Sequence, residues 1–287
     1  MTAKTTEIAI GASPFGGASI FLMGAPGTGK TTFIKSIMDA GLDCFGLFHE
    51  PGYSVIAGDE RLKRHYISPA PPGFEEMETM SDRVNTLTNT AIQTGTTMFG
   101  RENYRQFFDV LKVCNNYVDQ RTGQEYGPIN KWGTDRCFIL DSVTGLTQMC
   151  KMLAVGAKPA LTQPDYQIIM NHIQQFLNLL ATGLHCWLYV TAHIEMERDE
   201  ITGGNRIMPA TIGRKLAPVM SVNFDDHLYA ERDGDKFTLT VADPEASTKA
   251  RHFPLTGKHA PDFQTIYDRW VDLGGVIETT PEWEGAA

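Results

Sequence analysis

The stretch "GAPGTGKTT" (24–32) constrains this chain more than any other part of it. It matches G-x-x-x-x-G-K-[ST] in full. It also follows a short apolar run, "ASIFLMG" (18–24), that reads as a buried parallel strand. After it, "KTTFIKSIMDAG" sets Phe33, Ile34, Ile37 and Met38 on one helical face, with Gly41 as the stop. Between a strand and a helix, such a glycine-rich turn lets backbone N–H groups converge on phosphate oxygens at the helix N-terminus. Gly24, Ala25, Pro26, Gly27, Thr28, Gly29, Lys30, Thr31 and Thr32 are therefore the candidate nucleotide loop. In that geometry Lys30 would reach the β- and γ-phosphates of a nucleotide, and the Thr31 hydroxyl would ligate Mg²⁺.

Further strands and helices follow in alternation. "DCFGLFHE" (43–50), "RCFILDS" (136–142) and "HCWLYVTAH" (185–193) are apolar runs of strand length. "ENYRQFFDVLKVCNNYV" predicts an amphipathic helix with Tyr104, Phe107, Phe108, Leu111 and Cys114 inward. "PDYQIIMNHIQQFLNLLATG" predicts another, with Ile169, Ile173, Phe176, Leu177 and Leu180 inward and an end near Gly183. This order implies right-handed crossovers and an α/β fold with a mainly parallel central sheet flanked by helices. "DHLYAERDGDKFTLTVAD" adds a C-terminal β-hairpin around Asp233-Gly234. The Pro-, Gly- and Thr-rich residues 68–100 predict a surface excursion.

Three polar side chains end these strands on the edge where the loop emerges. Asp141 closes four apolar residues of a buried strand, where a carboxylate can hold Mg²⁺ through water. Glu50 ends the strand after the loop's helix and could deprotonate the water that attacks the γ-phosphate. His193, with Thr191 before it, is either a γ-phosphate sensor or a structural histidine.

With 25 basic and 34 acidic residues the chain carries a net charge of −9, which argues against a surface coated with cations for nucleic acid but leaves room for local basic loops. The five cysteines are scattered with no C-x-x-C pair, which suggests reduced thiols and a cytoplasmic location. No apolar run approaches the length of a membrane span, so no membrane contact is expected.

On the glycine loop, Glu50, "FILDS", "TAH", the Gly-rich loop and the hairpin, the sequence resembles the RecA-like P-loop ATPase core. Within that class it resembles more closely the phage-encoded, core-only RecA-like ATPases of the AAA_24 type, among them Sak-type single-strand annealing recombinases. The segments "YISPAP", "GPINKWGTDRCFILDSVTGL", "PATIGRKLAPVMSVNFDDHLYA" and "TKAR" carry that resemblance. It runs from about residue 18 to 257 and implies one RecA-like domain, taken as residues 1–265, with an elaboration at 60–130; residues 266–287 are an acidic tail, whose end "VIETTPEWEGAA" (276–287) reads as flexible. In such assemblies a K-x-R pair reaches a neighbour's γ-phosphate, and Lys249 and Arg251 fit the pattern, against the alternative of a solvated strand face.

The resemblance also gives two loops to DNA: 151–163, with Lys151 and Lys158, and 200–218, with Arg206, Arg214 and Lys215. Neither loop carries a clear aromatic platform for bases. The implied function is an oligomeric ATPase, ring or filament, that binds single-stranded DNA in phage recombination, annealing or replication in the host cytoplasm. A single-strand binding protein would be a possible partner. Two alternatives stand beside it: an ATP-dependent scaffold without DNA contact, which the net charge favours, and a small-molecule P-loop kinase, which would need an Arg-rich lid.

Overall fold

The computed structural model describes residues 15–69, 73–94, 104–156, 161–198, 204–212, 216–220, 222–241, 246 and 248–285. Among them an eight-stranded sheet runs in the order β10-β9-β8-β1-β5-β4-β2-β3. Its members are β1 (Ser19–Gly24), β2 (Asp43–Phe48), β3 (Lys63–Tyr66), β4 (Arg136–Asp141), β5 (Trp187–Ala192), β8 (Asp226–Asp233), β9 (Lys236–Thr240) and β10 (Lys258–His259). From β8 to β3 every pairing is parallel, while β9 and β10 are antiparallel additions at one edge. The hairpin expected at Asp233-Gly234 is the β8–β9 turn. An apolar strand buried on both faces needs a cover on each side, and both covers are present.

On one face lie α4 (Gln106–Asn115), α5 (Val143–Val155) and α6 (Gln163–Gly183), packed on Phe21, Met23, Phe45, Leu47, Phe138 and Leu140. The other face, with Ile20, Leu22, Cys44, Ile139, Trp187 and Tyr189, is covered by α1 (Ile34–Asp39) and α8 (Gln264–Asp272). Odd and even residues of one strand thus serve opposite layers, as the two-residue period of a strand requires. Two exposed helices, α2 (Phe74–Asn85) and α3 (Asn89–Thr94), occupy the stretch expected as a surface excursion.

α6 buries the five residues its pattern names: Ile169, Ile173, Phe176, Leu177 and Leu180. For α4 the inward face is shifted. Phe107, Val110 and Val113 are buried, and Phe107 meets Phe176 edge-on at 5.7 Å. Phe108 is turned out, 42% exposed, with the Arg105 guanidinium 5.3 Å from its ring centre. The apolar residues of this helix cover more than one face, so periodicity alone does not fix its rotation. Packing on α6 does.

The acidic C-terminal segment is docked, in place of the flexible tail expected for it. α8 buries Ile266 and Trp270, with Trp270 4.8 Å from Trp187. Beyond it the chain returns to the start of β4. There Thr134 Oγ1 donates to the Val276 carbonyl, the Glu278 amide donates to Thr134 Oγ1, and the Thr280 amide donates to Asp135. Many acids do not keep a segment in water when its few aromatics have a place in the core.

The loop at 200–218 also differs from expectation. After β5 the chain forms a separate antiparallel ribbon, β6 (Ile194–Arg198) with β7 (Asn205–Pro209), and then a short helix, α7 (Ala217–Met220). Residues 151–155, expected as loop, are the last part of α5. Among the described residues no helix is long and apolar enough to cross a membrane.

Candidate active site

Parallel strands deliver their C-terminal ends to one edge, and here that edge gathers the polar residues. Register sets Phe48 beside Asp141, Leu140 beside Val190 and Met23 beside Ala192, so β1, β2, β4 and β5 finish level. Asp141 is the last residue of β4, His193 follows β5 by one residue, and Glu50 follows β2 by two. Between the P-loop strand β1 and the Asp141 strand β4 lies β5, which puts Tyr189 and Thr191 in the middle of the site.

The loop turns through Gly27 and Gly29, both at positive φ (76° and 84°), a conformation that costs little only for glycine. A Cβ on Gly24 would lie 2.6 Å from Thr28 Oγ1 and 2.7 Å from the Ala230 carbonyl oxygen, so that position has no room for a side chain. Lys30 Nζ donates to the Gly24 and Ala25 carbonyls at 2.8 and 2.9 Å. The Tyr189 hydroxyl donates to the Lys30 carbonyl at 2.6 Å and so fixes the loop to β5.

Asp141 accepts from two hydroxyls, Thr31 on Oδ2 at 2.7 Å and Thr191 on Oδ1 at 2.5 Å. Burial holds its carboxyl above the ordinary carboxylate range, against the hydrogen bonds from Thr191 and Thr31; the charge of Glu50 adds to the rise and that of Lys30 opposes it. Lys30 is lowered by burial, which the nearby Asp141 and Glu50 carboxylates partly offset. Thr31 Oγ1 and Asp141 form a hard-oxygen pair at the mouth of the loop. That donor chemistry suits Mg²⁺, which takes one or two protein oxygens together with phosphate oxygens.

Glu50 is held from two sides. The Ser142 hydroxyl donates to its Oε1, and His193 Nε2 lies 2.7 Å from its Oε2. Burial alone would raise the Glu50 carboxyl, but the hydrogen bonds from His193 and Ser142, then the charges of His193 and Lys30, bring it below its ordinary value. An ionised carboxylate only accepts, so His193 carries its proton on Nε2. The His193 main-chain amide donates to Thr144 Oγ1 at 3.2 Å, while Ser142 Oγ also accepts from the Gly145 amide as the N-cap of α5. Neighbouring carboxyls shifted in opposite senses, beside a lysine, can divide metal holding from water activation.

The structure therefore brings Lys30, Thr31, Asp141, Glu50 and His193 together. It does not bring Lys249 or Arg251 to them. Lys249 bridges His227 through its main chain, and its Nζ donates to the Val222 carbonyl at 2.6 Å. Arg251 Nη1 donates to Asp225 at 2.7 Å, and Asp225 bonds Ser19, the first residue of β1. Five residues of strand at about 3.3 Å each put that end of β1 roughly 17 Å from the P-loop. The fully buried Asp226 accepts from the Arg251, His252 and Phe253 amides and faces His252 Nδ1 at 2.7 Å, fixing this segment to the sheet.

Of the residues expected to meet DNA, Lys151 sits on α5 and Arg206 is exposed on β7, opposite Glu197. Lys158, Arg214 and Lys215 lie outside the described residues. Ser142, Thr144 and Tyr189 were not legible as site residues. A signal existed for Tyr189, because a tyrosine inside a fully apolar strand needs a partner for its hydroxyl. Ser142 and Thr144 gave none, since serine and threonine at a helix start read as caps.

A family model described as an AAA domain matches residues 16–252. No curated protein matches the sequence.

Proposed function

This chain belongs to the AAA domain family, and from that premise we propose that it is an oligomeric ATPase of the RecA-like class that acts on single-stranded DNA, with phage recombination, annealing or replication as its setting. The family supports nucleotide-dependent ATP hydrolysis. The observation that carries the reading is the Glu50 carboxylate, held by Ser142 and His193 beside the Lys30–Thr31–Asp141 cluster. Hydrolysis needs a water-activating group next to the phosphate cradle, and this is where one stands.

In this reading residues 24–32 cradle the phosphates and Lys30 turns from its loop carbonyls to the β- and γ-phosphate oxygens. Thr31 and Asp141 hold Mg²⁺, which when bound neutralises charge on those oxygens. Glu50 accepts a proton from the attacking water, and His193 passes the state of the site on toward Thr144 and the ribbon. Lys249 and Arg251 serve a neighbouring subunit, since they stand at the far end of their own sheet. Arg206, together with Lys158, Arg214 and Lys215, supplies phosphate contacts to the strand.

The test is ATP hydrolysis against protein concentration, with and without single-stranded DNA, for wild type and for Lys249→Ala/Arg251→Ala. Specific activity that climbs with concentration and with DNA, and collapses in the double variant, is the expected result. Activity independent of concentration, DNA and the variant would replace this reading with a monomeric enzyme. Activity that depends on concentration and on the pair but ignores DNA would favour the scaffold.

A further inference from the structure

Beside the active site, a cavity of about 280 Å³ opens between α5, the start of α6 and the ribbon of β6 and β7. Thr147, Gln148 and Lys151 line it from α5, Tyr166 from α6, and Glu195 and Thr211 from the ends of the ribbon. Thr144, the residue that accepts the His193 amide, also lines it. The Thr211 hydroxyl oxygen is buried without a hydrogen-bond partner among the described residues. Tyr166 is 37% exposed, and among the described residues Lys151 makes no ion pair.

One kind of ligand uses Tyr166, Lys151, Gln148 and Thr211 at once. A planar aromatic face wants a flat π-system, Lys151 wants an anion, and the exposed Gln148 amide and the unpartnered Thr211 hydroxyl offer donors and acceptors. The volume lies just below the range of drug-sized pockets and suits a single small unit. A base inside a duplex shows its faces only to its neighbours, whereas a base in a single strand is free to stack on a side chain.

We propose that this cavity takes one unstacked nucleotide of a bound single strand, its base on the Tyr166 ring and its phosphate toward Lys151. The proposal rests on the DNA-binding reading above and gives it the aromatic platform that neither loop segment supplies. α5 and α6 provide that platform together, because folding brings Tyr166 and Lys151 to the walls of one cavity.

The experiment measures binding of labelled oligothymidylate, and of the same strand with abasic sites, by fluorescence anisotropy across a salt series. Tyr166→Ala should weaken binding of the intact strand by about 5- to 150-fold, the loss typical of one stacked base. It should leave the abasic strand nearly unaffected, and Tyr166→Phe should restore the intact strand. Lys151→Ala should make the slope of log K against log salt shallower by about 0.7. Fold loss would weaken both strands alike in Tyr166→Ala, a pattern that the Phe variant and a melting curve separate from loss of stacking. If wild type binds but neither variant changes the intact-to-abasic ratio or the slope, the cavity assignment is overturned and the DNA reading stands. If wild type binds no strand, the DNA reading falls and takes this inference with it. Saturation by thymidine 5′-monophosphate alone, with no strand binding, would make the cavity a free-nucleotide site and overturn the strand assignment.

Discussion

Where β1, β4 and β5 finish, ionisable side chains gather, with Lys30, Asp141 and Glu50 near enough to shift one another and His193 bonded to Glu50. Where β1 and β8 begin, two cations are pinned outward by a main-chain carbonyl and a carboxylate, on a segment tied down by a buried aspartate. Among the described residues the first end has carboxylates and one lysine but no arginine. The second has an arginine, 69% of its side chain exposed, and no nucleotide loop. Each end lacks what the other holds, and the rigid parallel sheet between them keeps the two apart within one chain. A cation that stabilises a transferring phosphoryl group must reach it directly, so in the proposed oligomer these halves would meet between copies.

The largest expected effect tests that division. Lys249→Ala/Arg251→Ala should lower hydrolysis by about 10³-fold or more, and Glu50→Gln by roughly 10²- to 10⁴-fold. Mixed in equal amounts, the two inactive proteins should regain activity at about a quarter of their sites, where an intact Glu50 meets an intact basic pair. A steady-state ATPase assay of the mixture reads this directly. A mixture as silent as its components would put both ends to work in the same subunit or neither to work at all.

A smaller effect concerns what holds the far end in place. Trp270→Ala should cost about 3–5 kcal/mol in chemical denaturation, because α8 would lose the side chain that packs on Trp187. A loss under 1 kcal/mol would return the C-terminal segment to a loosely attached tail.

Next comes a pH effect that His227 contributes from the far end. Burial lowers the His227 imidazole to about 3, with the charge of Lys249 adding to the shift. Above pH 6.5 His227 is neutral folded or unfolded. Below that value the unfolded chain takes up a proton that the folded chain refuses until about pH 3, so stability falls as pH falls through this window. The slope is about 1.4 kcal/mol per pH unit. His227→Phe should flatten that part of the stability curve, as urea midpoints at pH 6.5, 5.5 and 4.5 would show. An unchanged slope would mean that the acid sensitivity arises elsewhere, for instance at His49, which burial lowers to about 4.

The smallest expected change is at the tail's polar seam. Thr280→Val removes the hydroxyl that accepts from the Gly133 amide and donates to Asp135. It should cost about 1–3 kcal/mol, because the buried Gly133 amide loses its acceptor. A melting temperature unchanged within error would show that solvent satisfies that amide.

Much of the active end was legible because its determinants are local. A glycine loop needs its spacing, and a buried strand needs an unbroken apolar run, so the P-loop, Asp141 and the inward face of α6 follow from neighbours in sequence. Glu50 and His193 could be placed on the right edge from strand order, but their contact could not, since 143 positions separate them along the chain. The docking of α8, the rotation of α4 and the β6–β7 ribbon were hidden because each depends on a surface formed elsewhere. Acidic composition hid the tail's two inward residues, Ile266 and Trp270. Glycines beside Asn205 hid a ribbon whose hydrogen bonds come from the strand opposite.

By itself the sequence determined the phosphate-binding turn, the alternation of elements and the end of the sheet to which the polar residues belong, because short-range sterics and the periods of helix and strand dictate these. Only the tertiary structure decided that Ser142 and His193 hold Glu50, that Tyr166 meets Lys151 at a cavity, and that Lys249 and Arg251 stand at the opposite end from their own loop. Those facts depend on strand order and register, which are set by how distant segments share one core and not by the residues beside them.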